Sequence, residues 1–195
     1  MDNPASERSN RYRTTPNVLT LSRICLAPFL VAAILAGHYA LGFGLFAAAG
    51  LTDALDGLLA RVLKQRSVLG EYLDPVADKL LLSTLFLVLL HKGLMPTTVT
   101  VLVFGRDVCI LVVAAILYAA AGRREFNPSL LGKANTLAQV AAVAAVLLHQ
   151  LTATQWVMAF RMVALDATIG LTVASGLHYA WLAARRMGAN GHVAK

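Results

Sequence analysis

Between Asp53 and Asp78 the chain reads Asp-x2-Asp-Gly-x2-Ala-Arg-x8-Gly-x3-Asp-x3-Asp. Five of its ten acids, Asp53, Asp56, Glu71, Asp74 and Asp78, fall in this one stretch. Asp53 and Asp56 are three apart, and Gly57 and Arg61 follow at four and eight residues from Asp53. Asp74 and Asp78 are four apart. On helices, each acid pair shares a face. Carboxylates grouped in this way can hold cations or trade protons.

The surrounding sequence makes the grouping expensive. An ionised Asp at the centre of a membrane helix costs roughly 2.5–3.5 kcal/mol on insertion scales, and four close together also repel. Either most are protonated or divalent metal is bound. An all-oxygen donor set suits hard cations such as Mg2+ or Mn2+. Four carboxylates could hold two ions, an arrangement suited to in-line displacement at phosphorus. Gly57 would let a ligand approach the helix backbone, or alternatively serve close helix packing. Arg61 could hold a phosphate by paired hydrogen bonds, or mark the end of a helix.

The elements that must carry these residues are apolar. The chain has 195 residues, 58% hydrophobic and 14% charged, against about 25% charged in a soluble domain. A bilayer span needs roughly 20 apolar residues. Six such stretches are expected, at about 17–37, 40–61, 70–91, 97–121, 134–150 and 157–183, and lipid requires them to be helical. The fold class expected is therefore an all-α polytopic membrane protein with six transmembrane helices. Arg8, Arg11 and Arg13 precede the first span. Arg61, Lys64 and Arg66 follow the second, Arg123, Arg124 and Lys133 the fourth, and Arg185, Arg186 and Lys195 the sixth. The alternate loops hold Lys92, so both termini are expected to be cytoplasmic. The net charge of +7 is then mainly a topology signal that can also attract anionic lipid. No basic stripe points to nucleic acid. Cys25 and Cys109 sit in apolar runs and fit no metal spacing.

Residues 1–16 read as a polar or interfacial segment, 17–186 as one six-helix domain and 187–195 as a frayed C-terminal tail. Thr15-Pro16 is a good helix start. Small residues recur at Ala134, Ala138, Ala141, Ala142 and Ala145, a pattern for close helix packing. Spans two and three meet at the cytoplasmic side, which sets both acid pairs at similar depth. Arg161 and Asp166 read as interfacial or structural, and His178 as polar packing or part of a site.

The motif from Asp53 to Asp78 is identified as the signature of the CDP-alcohol phosphotransferases, and six spans with cytoplasmic termini resemble that family over nearly the whole chain. Pro16-Asn17-x-Leu19-Thr20-x2-Arg23 is similar to its phosphatidyltransferase branch. The resemblance implies that Asp53, Asp56 and Asp74 ligate two divalent ions, with Asp78 completing one site and taking the proton of the acceptor hydroxyl. It implies that the cytidine nucleotide lies against Gly57 and Arg61, with polar contacts from Asn17, Thr20 and Ser67. CDP-diacylglycerol is the implied donor and CMP the leaving group. It also implies a homodimer in the cell's inner or plasma membrane if bacterial, with the active site facing the cytoplasm.

The acceptor is read from residues further along, with Arg106, Lys133 and Asn135 as candidate contacts. Phosphatidylglycerophosphate synthases resemble this region but carry an Arg where this chain has Ala114 and a Lys where it has Asn135. Those bases would hold the phosphate of glycerol 3-phosphate. Gly105-Arg106-Asp107-Val108, Phe126-Asn127-Pro128 and Lys133-Ala134-Asn135-Thr136-x2-Gln139 resemble the cardiolipin synthase branch, whose acceptor is phosphatidylglycerol. That branch is preferred, with glycerol 3-phosphate as the alternative acceptor. Arg106-Asp107 also reads as a buried structural pair. A divalent-cation transporter is the rival of another class, but it predicts paired half-repeats with broken helices, and none is visible.

If Asp78 is the base, Asp78→Asn abolishes CMP release while CDP-diacylglycerol still raises the melting temperature of the protein. CMP release at the wild-type rate would remove Asp78 from that role.

Overall fold

The computed structural model describes residues 15–63, 68–121 and 130–190, and within them the side chains of 25–52, 79–110, 112 and 130–181. Six helices are described: α1 Thr15–Leu35, α2 Tyr39–Leu63, α3 Val68–His91, α4 Thr97–Ala121, α5 Leu130–Leu151 and α6 Gln155–Asn190. No strand occurs among the described residues. The all-helical expectation holds, with differences at the ends. α5 starts a turn earlier than the apolar run, because the helix carries Lys133 on an exposed side. α6 continues through Arg185 and Arg186 to Asn190. The boundary expected after residue 186 thus falls inside a helix, since Ala, Leu, Arg and Met favour helix whether or not lipid surrounds them. Among the described residues, Leu130–Leu151 and Gln155–Trp181 are each long and apolar enough to cross a bilayer.

The helices form two compact units, the first holding α1–α3 and the second α4, α5 up to His149, and α6. In the first, α1 packs against both α2 and α3. Leu82, Leu85, Phe86 and Leu89 recur at helical spacing on α3 and are buried, as are Leu30, Ala33 and Ile34 on α1 and Phe46 and Ala49 on α2. Such a stripe turned inward supplies the burial that holds a helix in place.

Backbone hydrogen bonds build the α1–α2 turn. Gly37 N–H donates to Ile34 O at 3.0 Å, His38 N–H to Ala33 O at 2.9 Å, and Gly42 N–H to His38 O at 2.9 Å. Gly37 has φ +81°, the left-handed residue that ends a helix in a Schellman motif. The carbonyl of Leu35, left over at the helix end, accepts from Lys92 Nζ at 3.2 Å. Lys92, the one cation in the loops expected to lack them, thus caps the negative end of α1 from the end of α3. Gly42 is buried, and a Cβ there would lie 3.0 Å from Ile34 Cγ1. The missing side chain lets α2 approach α1.

In the second unit α4 packs on α6. Met95, Val99 and Val103, the first in the loop leading into α4, are buried, as are Val157, Ala164 and Leu165 of α6. Ala142 and Ala145 of the small-residue stripe are fully buried on α5 beside Val143, Val146 and Leu147. Arg161 donates from Nη2 to Leu94 O at 3.0 Å, which supports its structural reading. Hydroxyls inside the helices bond back to their own backbone: Thr52 to Ala48 O, Thr84 to Leu80 O, Thr136 to Gly132 O and Thr168 to Ala164 O. This satisfies them without water.

Gly42→Leu is expected to lower unfolding stability in detergent by about 1–3 kcal/mol through overpacking against Ile34. Gly44→Ala, where a Cβ meets nothing within 4 Å, is expected to be neutral or to gain up to about 1 kcal/mol of helix propensity. Thermal unfolding of the two variants side by side measures the contrast.

Candidate active site

The sequence-predicted site residues fall into two sets. Asn17 and Thr20 lie on α1, Asp53, Asp56, Gly57 and Arg61 on α2, and Asp74 and Asp78 on α3. Helical backbone is continuous through both acid pairs, so the i, i+3 and i, i+4 register assumed for them is present. Their side chains, and Ser67 altogether, lie outside the described residues. The donor set is oxygen only and carries four negative charges when ionised. That chemistry fits hard divalent cations rather than soft ones.

The second set lies in α4, α5 and α6, where side chains are described. Arg106 of α4 is buried, with 9% of its surface exposed. Its Nη1 meets Asp107 Oδ1 at 2.6 Å, an ion pair with the neighbouring residue. Its Nε donates to Ser175 Oγ at 3.2 Å, and its guanidinium lies 5.9 Å from the centre of the Tyr179 ring. Ser175 in turn donates to Thr172 O at 3.1 Å. Thr172 Oγ1 donates to Asn135 Oδ1 of α5 at 2.9 Å. Thr168, Thr172, Ser175 and Tyr179 recur at helical spacing, so one stripe of α6 meets Arg106 of α4 and Asn135 of α5. Gly176, next to Ser175, leaves ordinary contact distance to the Arg106 stem, 4.0 Å from a Cβ built there to Arg106 Cγ.

Of the three predicted acceptor contacts, Arg106 and Asn135 thus belong to one buried network, while Lys133 is exposed. The structural reading of Arg106-Asp107 also holds: the pair is real and mostly buried. Sequence alone does not single out Thr172, Ser175 and Tyr179. Hydroxyls in an apolar run carry no local signal, and their part is set by the helices facing them. His178 stacks on Trp181 with ring centres 6.3 Å apart and meets Tyr179 edge-on at 6.2 Å, which favours its packing reading.

A family model described as CDP-alcohol phosphatidyltransferase matches residues 13–170. The chain belongs to the CDP-alcohol phosphatidyltransferase family. The matched region holds the whole aspartate motif and the Arg106 and Asn135 positions. The chain is 38% identical to human cardiolipin synthase (CMP-forming) over 150 residues, covering 68% of this chain and 49% of that protein. It is 34% identical to the CDP-diacylglycerol–glycerol-3-phosphate 3-phosphatidyltransferase of Bacillus subtilis over 181 residues, covering 84% of this chain and 92% of that one. A probable phosphatidylglycerophosphate synthase of Mycobacterium tuberculosis (strain ATCC 25618 / H37Rv) is 34% identical over 185 residues, or 91% and 85% of the two chains. The chain spans about half the length of the animal cardiolipin synthases it matches. Curated relatives of the family are phospholipid-synthesis transferases.

The Thr172–Asn135 bond is open to a double-mutant cycle. Thr172→Val and Asn135→Leu should couple by about 0.6–2 kcal/mol in unfolding free energy, the range for interhelical hydrogen bonds inside membrane bundles. Additive effects of the two changes would mean that the bond contributes nothing to holding α5 on α6.

Proposed function

We propose that the chain is an integral-membrane phosphatidyltransferase that moves the phosphatidyl group of CDP-diacylglycerol to phosphatidylglycerol and releases CMP, forming cardiolipin. The observation that carries this reading is the complete aspartate motif inside the region matched by the family. Support for the acceptor comes from the 38% identity to a cardiolipin synthase. It comes also from Ala114 and Asn135, which stand where a phosphate-gripping Arg and Lys are expected in the alternative.

In this reading Asp53, Asp56 and Asp74 would hold two divalent ions, Mg2+ or Mn2+, with Asp78 completing one site; such ions would supply positive charge to offset the diphosphate and the leaving CMP. Gly57 and Arg61 hold the cytidine nucleotide, with Asn17, Thr20 and Ser67 in polar contact. Asp78 takes the proton of the acceptor hydroxyl as its oxygen bonds to the lipid-bearing phosphorus. The bond from that phosphorus to CMP breaks, and CMP keeps the electron pair. A positioned carboxylate base contributes typically 10²–10⁴-fold to such a step. Arg106, Lys133 and Asn135 are the candidate acceptor contacts.

The topology belongs to the same proposal. Residues 17–186 form the six-span domain, with both termini and the active site on the cytoplasmic side and a second copy completing a homodimer. The loop arginines and lysines support this orientation. Strongly exposed apolar side chains such as Leu137 (71%), Leu177 (68%) and Val163 (66%) on the span-forming helices support a lipid surround.

Transfer to glycerol 3-phosphate is the second reading, favoured by the longer share of the chain that aligns with the bacterial relatives. Purified protein given CDP-diacylglycerol, Mg2+ or Mn2+ and a panel of alcohols decides between them by mass spectrometry of the product. Cardiolipin is expected, with turnover lost in chelator and restored by either ion. A phosphatidylglycerophosphate product would overturn the acceptor assignment.

A further inference from the structure

The buried network of α4, α5 and α6 leaves two donors over. Asn135 is fully buried and Gln139 is 5% exposed. Asn135 Nδ2 and Gln139 Nε2 donate to no acceptor in the structure. The two residues are one turn apart on α5, so their amides share a face about 5–6 Å apart at the Cβ atoms. The carbonyl side of Asn135 is already taken by the Thr172 hydroxyl. Thr168 of α6 is also fully buried. Its hydroxyl is itself bonded to Ala164 O. A buried amide donor left unmade costs about 1–3 kcal/mol, and a bundle keeps two of them at helical spacing only if something uses them.

The charge around them narrows what that is. Arg106 is matched by Asp107 at 2.6 Å, and its Nε is used by Ser175. Lys133, two residues before Asn135, lies on another side of α5 and is exposed. The other described members, Asn135, Gln139, Thr172, Ser175 and Tyr179, carry no formal charge. Neutral donors compensate a dianionic phosphate monoester less well than a singly charged phosphodiester or an uncharged glycerol hydroxyl. Neutral amides are suited to oxygen of low charge.

We propose that Asn135 Nδ2 and Gln139 Nε2 form a two-donor grip for the phosphodiester and glycerol oxygens of a lipid head group, and that Gln139 is thereby a specificity-determining residue for a lipid-borne acceptor. This rests on the acceptor reading given above and extends it to a residue and a ligand charge. Gln139 is the cleaner of the two to test, because Asn135 also accepts a hydrogen bond from Thr172.

The test compares wild type with Gln139→Met, which keeps the length of the side chain and removes the amide, and with Gln139→Leu, which removes the amide with a shorter apolar side chain. Each protein is placed in phosphatidylcholine nanodiscs into which phosphatidylglycerol is titrated, with no CDP-diacylglycerol present, and the melting temperature is followed. Phosphatidylglycerol is expected to stabilise wild type, with its apparent affinity falling roughly 2- to 10-fold in both variants, the loss of one net hydrogen bond. Without phosphatidylglycerol the Met variant is expected to melt at or above wild type, whereas a residue kept only for helix registry would lower the melting temperature when removed. Free glycerol 3-phosphate and inorganic phosphate are expected not to substitute. In turnover, the KM for phosphatidylglycerol should rise by the same factor with the KM for CDP-diacylglycerol unchanged. Equal phosphatidylglycerol dependence in wild type and both variants overturns the grip, as does free phosphate matching the lipid. The expected melting shifts without any transfer to phosphatidylglycerol would keep the grip and refute the reaction.

Discussion

Hydrogen bonding without water is the constraint on which the described structure turns. Helices as apolar as α5 and α6 leave no solvent to satisfy a polar side chain, so each must bond to the protein, meet a ligand or carry a standing cost. Most take the first route. Threonine hydroxyls return to the carbonyl one turn back, at Thr84 and Thr168 for example. Lys92 reaches the last carbonyl of α1, and Arg161 reaches the loop carbonyl of Leu94. Arg106, the largest buried polar group described, is satisfied by Asp107 and Ser175 together. Removing either partner would leave a buried cation short of an acceptor, a larger penalty than the pair itself is worth.

Among the described residues, Arg161 Nε, Asn135 Nδ2 and Gln139 Nε2 are buried donors left without a partner. In the sequence, the aspartate motif gathers four carboxylates, an oxygen-only set that suits hard cations. In the α4–α6 region two neutral amide donors, Asn135 Nδ2 and Gln139 Nε2, are left without acceptors, which suits an oxygen of low charge on the reading proposed above. A family that transfers a phosphatidyl group needs both kinds of chemistry. The diphosphate of the donor must be neutralised by positive charge. An acceptor held in the bilayer by its own acyl chains needs far less electrostatic grip than a free phosphate ester.

Much of this was legible in the sequence, for identifiable reasons. Apolar runs of about span length gave six helices, and fixed acid spacing gave the motif, because both are local patterns along one chain. The ends were less legible. Lys133 looked like a loop charge, yet a helix can carry an exposed lysine, and α5 starts before it. Arg185 and Arg186 looked like the end of α6, yet arginine is a good helix former and the helix passes through them. Lys92 read as a stray against the topology pattern, and its cap on Leu35 depends on a partner 57 residues away. Thr172 and Ser175 were invisible for the same reason: a hydroxyl in an apolar stretch means little until the facing helix is known.

Asn135 shows how the two kinds of reading meet. In sequence it registers as a missing lysine, a loss of positive charge where a phosphate would be held. In the structure the same position keeps a carbonyl bond to Thr172 and presents an unused amide beside that of Gln139. Asparagine at this position offers a neutral donor where a lysine would offer a full charge. Lysine there would have to place a full charge beside the compensated Arg106–Asp107 pair, in surroundings where an unmatched charge is costly. With asparagine the position adds no charge beside the Arg106–Asp107 pair and still has a hydrogen bond to give. On the reading proposed above, selection among acceptors would rest on how much charge an incoming head group brings, because buried neutral donors compensate a dianion less well than a phosphodiester.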